Sequence, residues 1–397
     1  MTIDLKPAAA PVSVPHWRQL SPVVRRAFRC RCERPVFFGN TRCLACNAEL
    51  GYDAARATVC PLEPSGAEGV WRRHGDDGSG PRYRRCGNFN SAVVCSWLLE
   101  IDADAARVEQ CRSCRLNRTL PDLSQPDNQR LWARVERDKQ RMVASLIALG
   151  LPVAARSAED AERGLAFDLL RGSAAPEPVI TGHLNGVITL DIDEADDARR
   201  EAIRESMDEP YRTVLGHLRH ESGHYYWTRL VEPGEWLEPF RTLFGDERTD
   251  YAAALQRHHA AGPLVGWEGS FVSAYASAHP WEDWAETWAH YLHILDTLDT
   301  ALSFGVDAAR SRLLRDPFGA AVLFRGGPPA AQGDEPPFLA FINAWIELTS
   351  VLNELSRSMG ERDFYPFVLS DAAVTKLHFV HRVMHEAGRR EPEPTAA

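Results

Sequence analysis

Tyr211-Arg-Thr-Val-Leu-Gly-His-Leu-Arg-His-Glu-Ser-Gly-His-Tyr-Tyr-Trp227 is the stretch that decides what this chain folds into. Pro210 precedes it where a first helical turn tolerates proline. Asp208 and Glu209 suit the positive end of a helix. Val214, Leu215 and Leu218 then form an apolar stripe at helical spacing, so the pattern predicts one helix from Tyr211 through Trp227. On it His220 and His224 stand one turn apart on the same face. Two imidazoles so placed converge on one Zn²⁺, with Glu221 beside them to take a proton from water. A core helix that happens to carry His and Glu is the plain alternative. Gly223 argues against it, because it costs a helix about 1 kcal/mol relative to Ala and is useful where another segment must approach closely.

A catalytic zinc keeps three protein ligands, so one is still missing. Residues 271–295, FVSAYASAHPWEDWAETWAHYLHIL, supply it. Pro280 marks a helix start, and Glu282 and Glu286 share a face at i and i+4. Glu282 can bind the metal while Glu286 accepts the free N–H of a ligand histidine. Asp283 is adjacent but points about 100° away around the helix. His290 and His293 continue the glutamate face two to three turns on, and His217 lies one turn before His220. All three are expected as neighbours of the site, not ligands. Tyr225, Tyr226, Trp227, Trp281, Trp284 and Trp288 are expected to pack between helices.

This pattern resembles the gluzincin metallopeptidases, where HExxH is followed by a glutamate ligand and an acidic residue four positions later. The separation of seven between Tyr275 and Glu282 is similar to that in the lethal-factor-type toxins of the group. By that resemblance Tyr275 donates a hydrogen bond to the tetrahedral oxyanion. Residues 179–192 alternate in strand fashion around Asn185-Gly186, a hairpin signal. In metallopeptidases of this type an edge strand above the HExxH helix pairs with the substrate backbone. Segment 187–192 is the candidate for that edge, with an ordinary sheet strand as the alternative. The acidic stretch from Asp191 to Asp197 reads as a solvated face. The charged turn from Phe244 to Tyr251 has no legible role.

All nine cysteines fall between Cys30 and Cys114. Cys30, Cys32, Cys43 and Cys46 approximate two zinc-ribbon knuckles, although the first pair encloses one residue where two are usual. Cys86, Cys95, Cys111 and Cys114 can form a second four-thiolate site. Cys60 is left over and expected as a small buried hydrophobe. The opening residues carry no long apolar run after a basic region. A cytoplasmic, reducing location is therefore expected, which favours metal over disulfides, and no segment is apolar enough to span a bilayer. Residues 1–120 carry 18 Lys and Arg against 12 Asp and Glu, a net +6, and the whole-chain −10 leaves −16 for the rest. A basic cysteine module on an acidic body raises the question of nucleic-acid binding, and zinc ribbons bind both nucleic acids and proteins. The basic excess is modest and lacks a basic-aromatic run, so protein docking or substrate recruitment is preferred.

The runs CLACNAELGYD, CRSCRLNRTLPDL, ITGHLNGVITLDIDEADDARRE, EPYRTVLGHLRHESGHYYW and FVSAYASAHPWEDWAETWAHYLHI extend the resemblance over nearly the entire chain. They resemble a family of bacterial zinc-binding metallopeptidases with an N-terminal zinc ribbon and a gluzincin-like body. The expected fold is α+β: a disordered tail over 1–15, a cysteine-rich ribbon over 16–120, and a mainly helical catalytic body with a small sheet over 121–390. Helices are expected from Gln129 to Leu149, from Phe338 to about Met359, and near Ser370 to Glu386. The expected activity is zinc-dependent peptide hydrolysis, with one catalytic zinc and one or two structural ones. The rival readings are a non-catalytic ribbon adaptor or nucleic-acid-binding protein with a structural zinc, and a metal-dependent hydrolase of another bond.

Overall fold

The computed structural model describes residues 20–101, 108–156, 164–175, 179–206, 209–306, 317–328 and 335–389. The tail expected over 1–15 lies outside them. The architecture is α+β, with a small β ribbon followed by a mainly helical body. In the ribbon, β1 (Phe28–Arg29) pairs antiparallel with β2 (Pro35–Val36). A five-stranded antiparallel meander follows: β3 (Leu50–Asp53), β4 (Thr58–Pro64), β5 (Trp71–Arg73), β6 (Arg82–Arg85) and β7 (Leu98–Ile101). A parallel bridge from Tyr52 to Trp97 draws the two ends of this sheet together.

The body opens with β8 (Asn117–Thr119) and α1 (Pro126–Ala148). Helix α1 starts three residues earlier than expected because Pro126 occupies its first turn, where a missing N–H costs nothing. Next come β9 (Ala166–Leu170), β10 (Gly182–Leu184) and β11 (Val187–Asp191), in a sheet ordered β10-β11-β9-β8. The Asn185-Gly186 hairpin is present, with both residues at positive φ as a tight two-residue turn demands. The edge assignment for 187–192 is overturned, however. Strand β11 pairs on both sides, antiparallel with β10 and parallel with β9, so the free edge on this side is β10.

The helices are α2 (Asp197–Ser206), α3 (Val214–Tyr226), α4 (Leu237–Phe244), α5 (Tyr251–Ala261), α6 (Pro280–Ser303), α7 (Glu335–Ser358) and α8 (Asp371–Arg389). Helix α3 begins later than its sequence suggested, because the Thr213 hydroxyl caps it by accepting from Gly216 N at 2.9 Å. Beyond Tyr226 it continues as a π-helical turn, Trp227–Val231. The acidic stretch is corrected in its first part, whereas Asp197 is exposed as expected. Asp191, Asp193 and Glu194 are buried, not solvated, and each is satisfied. Asp191 accepts from Gly172 N, Asp193 from Ser173 N and Arg199, and Glu194 from Thr181, with the His217 ring lying against Glu194 Oε2.

One hydrophobic core runs from Phe28, Val36 and Trp97 of the ribbon through Leu131 and Val135 of α1 and Leu218 of α3. It continues to Trp284 and Trp288 of α6 and Phe379 of α8. The chain ahead of the ribbon is fastened to α6: the Asp299 carboxylate accepts from Val23 N and Val24 N, and Arg26 pairs with Asp296. Asp296 also receives Arg141 of α1 and Arg219 of α3. No helix among the described residues is long and apolar enough to cross a membrane.

Candidate metal centre

Helices α3 and α6 cross where their sequences carry the chemistry. A Cβ on Gly223 would lie 2.9 Å from Ala285 Cα, so only glycine lets the two backbones approach this closely. The contact is locked by Trp284 Nε1, which donates to Gly223 O at 2.8 Å, and Trp288 Nε1, which donates to Ser222 Oγ at 3.0 Å. The crossing brings His220, His224 and Glu282 together, with one ligand atom from each inside a 4.8 Å span. His220 Nε2 lies 3.0 Å from Glu282 Oε2, His224 Nε2 lies 3.5 Å from Glu282 Oε1, and the two Nε2 atoms are 3.1 Å apart. Ligands held about 2.0–2.1 Å from a tetrahedral zinc lie about 3.3–3.4 Å from one another, so this donor set fits the ion.

The surrounding groups support that fit. His220 Nδ1 donates to Glu286 Oε1 at 2.6 Å, which leaves the Nε2 lone pair facing the centre. Ser273 Oγ in turn donates to Glu286 Oε2 at 2.6 Å. Burial alone would raise the Glu286 pKa, but the hydrogen bond and charge of His220 outweigh it and hold it down at about 2. Burial is likewise outweighed at Glu282, whose carboxyl is driven well down by His224 and His220. Glu221 is buried beside them, and its Oε2 has no hydrogen-bond partner among the described residues. Three carboxylates around two imidazoles make a pocket suited to a dication.

Tyr275 opens a short 3₁₀ turn, Tyr275–Ser277, with its ring 6.0 Å from that of His220. Burial, and then the charge of Glu282, push its hydroxyl pKa far up, so it keeps its proton. None of the competing residues joins the donor set. Asp283 faces α8 and pairs with Lys376 at 2.6 Å, His290 reaches the Tyr365 hydroxyl, His293 reaches Arg219, and His217 reaches Glu194. Sequence reasoning missed Ser273 and Tyr251. Tyr251, at the start of α5, donates to Glu282 Oε1 at 2.6 Å. No spacing rule links it to Glu282, since the contact depends on how the turn 245–250 lays α5 against α6.

The eight grouped cysteines also converge. Cys30, Cys32, Cys43 and Cys46 form one group, with sulfur contacts of 3.5 and 3.8 Å, and Cys86, Cys95, Cys111 and Cys114 form the other, with contacts of 3.8 Å. Thiolates about 2.3 Å from a tetrahedral zinc are about 3.8 Å apart, so both groups fit a structural ion. Cys60 stands apart in a small cluster with Leu62, Tyr83 and Leu98, and burial pushes its thiol up to about 12.

A family profile described as "Putative zinc-binding metallo-peptidase" matches residues 128–383, and a zinc-ribbon domain profile matches residues 27–125. Uncharacterised proteins of Mycobacterium tuberculosis and Mycobacterium bovis are each 42% identical to the chain over 363 residues. That alignment covers 91% of this chain and 96% of each relative. No solved structure gives a significant match.

Proposed function

Since the chain belongs to this zinc-binding metallo-peptidase family, we propose that it hydrolyses peptide bonds at the crossing of α3 and α6. His220, His224 and Glu282 would hold the zinc. The ion would supply a Lewis acid and a nucleophile near neutral pH. Glu286 and Ser273 fix the tautomer and tilt of His220. Glu221 takes a proton from the attacking water and passes it to the leaving amine. The protonated Tyr275 hydroxyl donates to the oxyanion that forms on the scissile carbonyl.

Strand β10 is the surface that suits a substrate backbone, because it is a sheet edge packed beside α3. His183 in its middle stacks edge-on against Tyr225, the residue after His224. Thiols gathered for metal suit a reducing, cytoplasmic compartment. A docking role for the ribbon fits best at the second knuckle of its first cysteine group, where Leu44 is 97% exposed between Cys43 and Cys46.

The observation that carries this reading is the buried Glu221, whose Oε2 has no hydrogen-bond partner, beside three converging ligands. A purely structural site has no use for such a group. Glu221→Gln should keep its zinc and lose roughly 10²–10⁴-fold in cleavage of a peptide mixture. Unchanged cleavage with unchanged zinc would remove the assignment and favour another hydrolytic centre.

A further inference from the structure

We infer that α5 is a wall of the metal centre and that Tyr251 is the positioning residue that makes Glu282 a one-oxygen ligand. The inference rests on the zinc site proposed above. Glu282 has two carboxylate oxygens in reach of the centre: Oε2 at 3.0 Å from His220 Nε2, and Oε1 at 3.5 Å from His224 Nε2. The Tyr251 hydroxyl engages Oε1 at 2.6 Å. A carboxylate oxygen held by a short hydrogen bond is a weaker metal donor, so Oε2 becomes the ligand and a position stays open for substrate. Ring contacts with His279 at 5.2 Å and Trp281 at 5.8 Å fix the phenol on both sides. Trp281 itself lies against His224, at 4.0 Å between ring centroids.

A second residue of the same helix faces the same way. His258 follows Tyr251 by seven positions, two turns on, and its ring meets that of Tyr275 edge-on at 5.6 Å. Helix α5 therefore touches the site at two points, one on a ligand and one on the oxyanion donor. Asp250 caps it by accepting from Ala253 N at 3.0 Å, which sets the orientation of its first turn and hence of Tyr251. Tyr251 is still 37% exposed although its hydroxyl reaches the buried Glu282, so the residue lies at the rim of the site.

The test is Tyr251→Phe, which keeps the ring contacts and deletes only the hydroxyl. Zinc at the third, chelator-exchangeable site is replaced by cobalt while the cysteine sites retain zinc, with identically treated His224→Ala as the blank. Wild type should show the strong visible bands of four-coordinate cobalt. The variant should show weaker bands of five-coordinate cobalt, as the freed Oε1 joins Oε2 on the metal. Its zinc affinity in chelator competition should change by roughly 10–100-fold, the range for lost second-layer hydrogen bonds. Tyr251→Leu separates packing from hydrogen bonding, since with the exchangeable site emptied it should shift thermal stability whereas Tyr251→Phe should not. Identical cobalt spectra and zinc affinities for wild type and Tyr251→Phe would overturn the positioning role and leave the zinc site standing. A wild type without exchangeable metal would overturn both.

Discussion

The two four-cysteine groups have the same ligands and nearly the same sulfur spacing, yet they hold different things together. In the first, Cys32 and Cys46 are only half-buried, and the knuckle tip projects Leu44 into solvent. The Cys46 thiol is held down at about 6, first by the backbone N–H of Ala48. In the second, all four thiols are buried, and their neighbours come from α1 of the body. Gln140 Nε2 approaches Cys95 Sγ at 3.4 Å, and Glu136 Oε1 lies 3.7 Å from Cys114 Sγ. Glu136 is itself paired with Lys139 at 2.9 Å, and neither is exposed. The first group shapes a surface loop, whereas the second is part of the seam on which α1 rests, and α1 packs against α3. A shared motif therefore does not mean a shared role; burial and what packs on it decide.

The sharpest way to break that contrast is to delete one thiol from each group. Cys114→Ser should abolish the folded protein, because structural zinc contributes about 10–16 kcal/mol in small zinc domains and its loss takes away the fully buried group against which α1 is seated. Cys46→Ser should remove one zinc equivalent while peptide cleavage and the main thermal transition stay in place. Metal analysis with thermal unfolding reads both variants. If the two melt alike, the contrast between the groups is wrong.

A smaller effect is expected at the salt-bridge hub that fastens the arm before the first knuckle. Asp296 receives Arg26 from that arm, Arg141 from α1 and Arg219 from the residue before His220. Asp296→Asn would leave three buried or half-buried guanidinium groups short of their counter-charge, which costs about 3–5 kcal/mol for a broken buried pair. Chemical denaturation should register it, together with weaker zinc retention at His220. Wild-type stability in this variant would mean that Asp296 is not what fastens the arm.

Much of this was legible in the sequence, and the reasons are specific. The i, i+4 spacings of His220 with His224 and of Glu282 with Glu286 are helix geometry, so the faces followed directly once the helices were recognised. Gly223 signalled the close crossing because glycine inside a helix needs a steric reason. The edge strand was misplaced because strand alternation says which face is buried, not which neighbours pair. The acidic run was misread for a related cause. Charge suggests solvent, but Arg171, Arg199 and Arg212 pair with Asp193 and Glu194, two of the three from outside the run and its following helix, and His217 lies against Glu194. Tyr251 was invisible because nothing local to 244–251 records the neighbour it meets.

The smallest expected effect concerns the same arm and depends on pH. Burial raises the Asp299 pKa from 3.8 to about 7, against the opposing hydrogen bonds from Val24 N and Val23 N and with the charge of Asp296 adding to the rise. A carboxyl with a raised folded pKa prefers its proton in the native state. Its stability contribution is therefore full below 3.8 and is lost as pH climbs through about 7. Asp299→Asn removes the titration and keeps one of the two acceptors, which lowers stability by a pH-independent amount. The stability difference between wild type and variant should move against wild type over that window, read by denaturant titration at several pH values. Cys46→Ser should leave this slope unchanged, since the arm is held by α6 and not by the first zinc. A slope that vanishes with the first zinc would instead make that knuckle the fastening point, and the contrast between the two groups would then be one of degree.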